Sequence, residues 1–233
     1  MMTQKNFKKL NTNVENTLNE MNNSIRFLYE NRIVYFFNVA GAEVLDRSKE
    51  KTMISWKNHI SSRLNSGKSF TTLDQYKHIL QNDSFHCILY DGSLIRSSFI
   101  FEKNKIINHS HLWWPSPYDY RVEFNENYTP IDAYDDFVTD SHWDSRIRMR
   151  SPVRIDFDPT SASDIHPAVH MHTQHHECRM RLDSPICFNR FIAYILFNYY
   201  PHLQIDLKGL NMLTFTYDRS KETNFSGTNI SFV

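Results

Sequence analysis

Nearly half of the histidines in this chain fall in one short segment. The chain contains 12 histidines, and five of them lie within eleven residues: His166, His170, His172, His175 and His176. Imidazole changes its charge near neutral pH and is a common ligand of transition metals. This segment is therefore the strongest indication of chemistry in the sequence.

Pairs of polar residues separated by one position recur in the segments that lead into this run. The pairs are His109 with His111, Asp156 with Asp158, and His170 with His172. Because a β-strand projects alternate side chains to the same face, each pair would lie on one face of a strand. Around Asp156 and around His170 the intervening residues are apolar. This pattern predicts two half-buried strands whose polar faces adjoin and remain accessible to solvent.

The polar face predicted for these strands is suited to phosphodiester chemistry. We predict a site formed by Asp156, Asp158, His170 and His172, with Arg179 close by. Imidazole and carboxylate together suit a divalent ion such as Zn²⁺, Mn²⁺ or Mg²⁺, and His170, His172 and Asp156 are its expected ligands. A bound metal would activate water and offset charge on a phosphoryl oxygen.

Two other interpretations of the same residues remain open. Without a metal, the two histidines would act as general acid and base, with an arginine stabilising the anionic transition state. Alternatively, the segment is a solvated histidine-rich surface with no catalytic role. The sequence contains no HExxH motif and no paired CxxC that would fix a ligand set.

Four residues outside the histidine run are candidates for binding nucleic acid. Arg146 and Arg148 alternate in a basic stripe that would follow a phosphate backbone, and Arg181 could hold a phosphate. Trp114 lies in an aromatic segment that could stack on bases. The opposing observations are the acidic segment 132–144 beside the stripe and the tendency of aromatic residues near a sheet to belong to the core.

Composition sets the limits for these predictions. The formal net charge is zero, because Lys+Arg and Asp+Glu both total 26, so net charge gives nucleic-acid binding no support. Neither of the glycine-rich phosphate-binding motifs, GxxxxGK[ST] and GxGxxG, occurs. The three scattered cysteines do not form a disulfide framework, and the first residues lack the apolar core of a signal peptide, so we expect a cytoplasmic protein.

The periodicity of apolar residues predicts one α+β domain over residues 1–233. We expect a twisted antiparallel sheet of about five or six strands with helices packed on one face. Predicted strands cover 33–40, 84–90, 93–102, 105–114, 153–157 and 168–174, with two short strands at 203–207 and 213–217. Predicted helices cover 1–30, 49–65, 72–80 and 184–199, and 115–144 is predicted to be a loop.

Particular residues predict where two of these helices begin and what the first helix contacts. Thr72 is the expected N-cap of one helix, and Ser184 followed by Pro185 is the expected start of another. The helix over 1–30 carries one apolar stripe that runs from Phe7 to Leu28. The stripe either packs on the chain's own sheet or docks into a groove of a partner protein.

Several longer motifs, in this order, resemble those of a known family. They are LYDGSLIRSSFIFE, INHSHLWWPSP, VRIDFDP, HPAVHMHTQHHECRMRLDSPI and the aromatic helix that follows. Together they span about 74–200, within a family-like core of 72–200, and resemble a bacterial family known as domain of unknown function 2290. Asn108, His109 and His111 depart from the family pattern, which puts a functional role for them in doubt. The resemblance implies a gene beside a helicase in anti-phage defence islands, and hence a helicase partner and nucleic acid.

The residues and the resemblance together give three functional hypotheses. The first is an accessory or effector subunit of a bacterial anti-phage defence system that acts with a helicase and cleaves a phosphodiester at the Asp/His site. The second is a non-enzymatic module that binds a partner or nucleic acid. The third is an RNA-targeting toxin of a toxin–antitoxin pair.

Overall fold

A computed structural model describes residues 12–56, 72–120, 128–173, 177–217, 227 and 229–230. Four α-helices lie within these ranges: α1 (Thr12–Glu30), α2 (Leu73–Gln81), α3 (Pro130–Thr139) and α4 (Phe188–Tyr199). The strands are β1 (Val34–Phe37), β2 (Gly41–Asp46), β3 (Lys51–Ser55), β4 (Cys87–Leu89), β5 (Leu94–Glu102), β6 (Lys105–Trp114), β7 (Val153–Phe157), β8 (Val169–Thr173), β9 (Met180–Leu182) and β10 (Asn229–Ile230).

All ten described strands belong to one sheet. Its main path runs β1-β4-β5-β6-β7-β8-β9-β10, and the β2–β3 hairpin joins it through β5. Every pair is antiparallel except β9 with β10. The α+β class, the antiparallel sheet and the N-terminal helix are therefore confirmed, in a sheet with more strands than the sequence pattern indicated.

The alternation of side chains along β6 divides the molecule into two cores. Trp113 faces a core that includes residues of α1 and α4, such as Ile25 and Phe191. Trp114 faces the opposite core, where α2 and α3 contribute Tyr76 and Phe137. Helices thus cover both faces of the sheet, and we refer to these as the α1/α4 face and the α2/α3 face.

Helix α1 packs on the chain's own sheet. Val14, Met21, Ile25 and Leu28 are all buried in the core of the α1/α4 face. This part of the stripe is therefore not available for docking to a partner, whereas Phe7 lies outside the described residues. Burying four apolar side chains of this size stabilises the fold by roughly 1.5–3 kcal/mol each before the entropy cost of ordering them.

The helix predicted over 49–65 is wrong where the structure describes it. Residues Lys51–Ser55 form strand β3, which lies between β2 and β5 and is buried over Thr52–Ser55. A strand buried on both faces loses the alternation that would have identified it, and a short apolar run cannot be assigned by periodicity alone. Residues 57–65 lie outside the described residues.

The segment predicted to be a loop contains helix α3. Thr129 caps this helix, and Asp132 completes a capping box by accepting a hydrogen bond from the backbone of Thr129. Pro130, which lies within the predicted loop, occupies the first turn, where a proline removes no helical hydrogen bond. The N-cap of α2 at Thr72 is confirmed by the same kind of capping box.

Other element boundaries differ from the sequence prediction for local reasons. Helix α4 begins after Cys187 rather than at Ser184, and the Cys187 sulfur accepts a hydrogen bond from the Arg190 amide at 3.4 Å. Within the described ranges, no strand forms at 203–207 or 213–217. Strands β2, β9 and β10 were not predicted; the last two are only three and two residues long.

A buried carboxyl group connects α1 to the start of α4. Glu20 is 4% exposed, and its Oε1 atom accepts a hydrogen bond from the Asn189 amide at 3.0 Å. Burial raises the pKa of Glu20 to about 7, against smaller opposing contributions from the hydrogen bonds with Cys187 and Asn189. The thiol of Cys187 stays protonated near neutral pH, because burial raises its pKa to about 12.

We expect Glu20 to make the stability of the protein fall as the pH rises from 4.5 to about 7. In this interval the unfolded chain loses the Glu20 proton while the folded chain keeps it. The raised pKa corresponds to about 3 kcal/mol, which is lost over this window and stays lost above it. Urea unfolding at about pH 4.5 and about pH 8 measures the effect.

The Glu20→Gln variant should lack this part of the pH dependence, because an amide does not titrate in this range. Glu15→Gln, at an exposed position on the same helix, is the matched control and should retain the wild-type dependence. An equal fall in stability for wild type and Glu20→Gln would show that Glu20 does not titrate with a raised pKa.

Candidate functional site

Strand register brings Asp156, His170 and His172 together on the α2/α3 face. Asp156 in β7 lies directly opposite His170 in β8, and Arg154 lies opposite His172. Residues directly opposite each other in an antiparallel pair project to the same face. The prediction that the Asp156 and His170 strands adjoin through their polar faces is therefore confirmed.

The flanking strands extend this polar row in both directions. Ser110 in β6 lies opposite Asp156, and Arg181 in β9 lies opposite His170. Neither Ser110 nor Arg154 was among the residues predicted for the site. Their roles depend on which strands are neighbours and on the register between them, and neither is encoded in the local pattern around these residues.

The Asp156 carboxylate is the centre of the site. Its Oδ1 atom accepts a hydrogen bond from Ser110 Oγ at 2.7 Å, and its Oδ2 atom accepts one from Arg154 Nε at 2.7 Å. The same Oδ2 atom lies 3.4 Å from His172 Nε2 and 3.9 Å from His170 Nε2. Burial by itself raises the pKa of Asp156, but the side chains of His172, Arg154, His170 and Ser110 outweigh it and hold the pKa well below its usual range.

The imidazole of His170 is held in one orientation by the loop before β8. Its Nδ1 atom lies 2.7 Å from the Pro167 carbonyl oxygen. Since a carbonyl oxygen only accepts, Nδ1 carries the proton, and the neutral ring presents a lone pair at Nε2. Burial lowers the pKa of His170 to about 4, against the opposing effect of Asp156. In the neutral ring, Nε2 is an unprotonated acceptor that lies 3.9 Å from Asp156 Oδ2.

His172 has no strong hydrogen bond in this arrangement. Its 3.4 Å contact with Asp156 lacks hydrogen-bond geometry, and neither of its ring nitrogens has a hydrogen-bond partner among the described residues. The ring packs edge-on against His170 at 4.6 Å, and His166 packs against the other side of His170 at 4.5 Å. An unpartnered buried imidazole costs about 1–3 kcal/mol, so its presence here requires an explanation.

The expectation that the two histidines are accessible to solvent is wrong. His170 is 1% exposed and His172 is 5% exposed. The extra strand β9 extends the sheet beyond β8, and the loop that contains His166 and Pro167 lies against the His170 ring. The side chains of Asp156 and Arg154, both in β7, remain 18% and 19% exposed. Solvent therefore reaches the site at β7 rather than at β8.

Two residues predicted for the catalytic group lie at its margin. The Asp158 carboxylate accepts hydrogen bonds from the Thr160 amide and hydroxyl and from the Ser161 hydroxyl, which closes the turn after β7. Arg179 is half-buried near His166, and its charge adds to the effect of burial in lowering the pKa of His166. His175 and His176, which are more consistent with a turn after the strand than with an extension of the site, lie outside the described residues, as does Gln174.

The residues predicted to bind nucleic acid occupy three different settings. Arg146 forms an ion pair with Asp140 at 2.8 Å, and Arg148 forms one with Asp119 at 3.0 Å, so acidic side chains neutralise much of the basic stripe. Trp114 is 4% exposed and lies in the core of the α2/α3 face, where it has no open ring face for a base. Arg181 alone is placed beside the Asp156 site.

His109 and His111 lie on the α1/α4 face, away from Asp156. Both imidazoles are buried, and both contact the segment before α4: His111 Nε2 is 3.1 Å from the Ile186 carbonyl, and His109 Nε2 accepts from the Ile186 amide at 3.2 Å. His111 Nδ1 also lies 2.9 Å from Ser97 Oγ. These contacts indicate a structural pair that anchors α4 to the sheet.

We expect His111→Ala to destabilise the protein without affecting the Asp156 site. The substitution leaves a cavity and removes the partner of the buried Ile186 carbonyl, at a combined cost of about 2–5 kcal/mol. Urea unfolding measures the loss, and His142→Ala, at an exposed position, is the control that should stay near wild type. An unchanged unfolding midpoint for His111→Ala would contradict the structural role.

Asp156, His170 and His172 have the donor set and the spacing of a metal site. Their three ligand atoms lie within 4.8 Å of one another. Two ligands of a tetrahedral zinc ion are about 3.4 Å apart when each metal–ligand bond is about 2.1 Å, which matches the contact between His172 and Asp156 and requires a small movement of His170. Two imidazoles and one carboxylate suit zinc, manganese or ferrous iron.

A family model matches the whole region that builds this site. The match covers residues 37–229 and is described as Uncharacterized conserved protein (DUF2290). The chain belongs to this family. No curated protein matches the chain, and no solved structure matches it. Among the described residues, no helix combines the length and apolar character needed to cross a bilayer.

Proposed function

We propose that this DUF2290 protein binds a divalent metal at Asp156, His170 and His172 and uses it to hydrolyse a phosphodiester. The observation that carries the proposal is the cluster of three ligand atoms within 4.8 Å of one another, in which His170 Nε2 lies 3.9 Å from Asp156 Oδ2. His170 Nε2 and Asp156 Oδ2 are both acceptors when the ring is neutral, and a cation bound between them would form a coordinate bond with each. It would also give His172, whose ring nitrogens lack partners, a ligand role.

The surrounding charges favour an anionic substrate. Arg154 donates to Asp156, and Arg181 lies opposite His170 in the next strand. Guanidinium groups bind phosphate in a fixed geometry and stabilise charge that develops in the transition state. A metal bound by one carboxylate and two neutral imidazoles would keep a net positive charge, which suits a phosphoryl oxygen.

We further propose that the protein works as an accessory or effector subunit in bacterial anti-phage defence, with a helicase as partner and nucleic acid as substrate in the cytoplasm. This step rests on the family resemblance. Helicase dependence fits the neutral net charge, because a chain without excess positive charge should bind nucleic acid weakly by itself.

The burial of both histidines favours a second candidate, a non-enzymatic binding module. Side chains that are 1% and 5% exposed would reach a substrate only through a metal or after a local opening. In this alternative the polar row stabilises the sheet, and another surface contacts the partner. Absence of the metal would exclude the first candidate, and cleavage by the metal-loaded protein would separate it from the second.

Purified protein should contain close to one equivalent of Zn²⁺ or Mn²⁺ per chain, as measured by inductively coupled plasma mass spectrometry. His172→Ala and Asp156→Asn should each lose most of the metal, because each removes one of only three protein ligands. His142→Ala is the matched control, since it removes an exposed histidine from another part of the chain. Equal metal content in His172→Ala and His142→Ala would contradict the metal site.

The rate of hydrolysis should rank the wild-type protein and its variants in the same order as their metal content. With the helicase present, wild-type protein should cleave DNA or RNA, and EDTA or His172→Ala should lower the rate by about 100-fold or more. His142→Ala should cleave at the wild-type rate. RNA cleavage by the isolated chain would support the toxin hypothesis instead, whereas metal binding without any cleavage would leave a metal-stabilised binding module.

A further inference from the structure

A polar cleft lies on the α1/α4 face, on the opposite side of the sheet from Asp156. It has a volume of about 370 Å³ and is formed by α1, the start of α4 and residues 209–211. The polar residues of its lining are Asn16, Asn19, Glu20, Asn23, Ser24, Asn189 and Asn211. Clefts of roughly 300–1,000 Å³ are typical of small-molecule sites.

The charge of the cleft lining disfavours anionic ligands. Of the described residues that line the cleft, Glu20 is the one with an ionisable side chain, and none is a lysine, an arginine or a histidine. An anionic ligand would therefore meet a carboxyl group and no compensating cation. The cleft thus disfavours nucleotides and other phosphates, unlike the Asp156 site.

Two buried oxygen atoms in the lining lack a hydrogen-bond partner. Glu20 Oε1 accepts a hydrogen bond from the Asn189 amide, whereas Glu20 Oε2 has no partner at hydrogen-bond distance and angle among the described residues. The Cys187 thiol, a weak donor, is the other group that interacts with this carboxyl group. The Asn189 side chain donates through Nδ2 to the Asn211 carbonyl at 2.7 Å, which fixes the amide orientation and leaves Oδ1 as an acceptor without a donor. Glu20 and Asn189 are 4% and 1% exposed, so each unmatched acceptor carries a desolvation cost.

We propose that this cleft binds a small organic cation, a primary ammonium or a guanidinium, that donates N–H groups to Glu20 Oε2 and Asn189 Oδ1. Such a ligand supplies a donor to each of the two oxygen atoms and offsets the charge of Glu20, the one ionisable group among the described lining residues. The asparagines around Glu20 provide further acceptors for a ligand with several N–H groups. The proposal does not depend on the phosphodiesterase proposal, because the two sites lie on opposite faces of the sheet.

Calorimetric titration of the full chain at about pH 8 with agmatine and with putrescine tests the proposal. Glucose and AMP, which are neutral and anionic, serve as probes of other ligand classes. At least one of the two cations should bind saturably with one site per chain, and neither glucose nor AMP should compete. Glu20→Gln should weaken binding by at least about tenfold, because it removes the buried charge that pairs with the ligand.

The controls make each outcome decisive. Glu15→Gln removes an exposed carboxylate from the same helix and should leave the affinity unchanged. Glu20→Gln keeps the size of the side chain and an acceptor for the Asn189 amide, so it should remain folded, as its far-ultraviolet circular dichroism would show. The proposal is overturned if neither cation saturates, if Glu20→Gln and Glu15→Gln bind equally well, or if glucose or AMP displaces the cation.

Discussion

Asp156 accepts hydrogen bonds from two strands at once, and the arrangement of the candidate site depends on them. Ser110 reaches its Oδ1 atom from β6, while Arg154 reaches its Oδ2 atom from the same strand, β7. A slip of one residue in the β7 register would send Asp156 into the apolar core of the α1/α4 face and Ile155 or Phe157 out of it. The apolar residues of β7 therefore fix the position of the carboxylate, and strand pairing brings His170 and His172 to it.

This dependence explains why part of the site could be predicted from the sequence. The alternation in residues 153–157 is regular, so β7 and the shared face of Arg154 and Asp156 followed directly from it. The same pattern predicted His170 and His172 on one face of β8. Local alternation identifies which side chains share a face, and antiparallel pairing between consecutive strands is the common arrangement.

The remaining features depend on contacts between segments far apart in sequence. The burial of His170 follows from the loop that contains Pro167 and from the unpredicted strand β9. The ion pairs of Arg146 and Arg148 depend on where loops bring Asp140 and Asp119. Local rules can also mislead, as in the predicted loop over 115–144, where Pro130 begins helix α3.

Among the described residues, each face of the sheet contains buried polar atoms without a hydrogen-bond partner, and we propose a ligand for each face. On the α2/α3 face these atoms are the two ring nitrogens of His172. They lie near the Asp156 carboxylate, which accepts a hydrogen bond from Arg154. The central claim is that a metal ion completes this arrangement. Anomalous diffraction at the zinc and manganese absorption edges, from crystals of the protein grown with each metal, tests it most directly. The account predicts a peak about 2.0–2.3 Å from Asp156 Oδ2, His170 Nε2 and His172 Nε2, and it is contradicted if these atoms are well ordered and no anomalous peak lies between them.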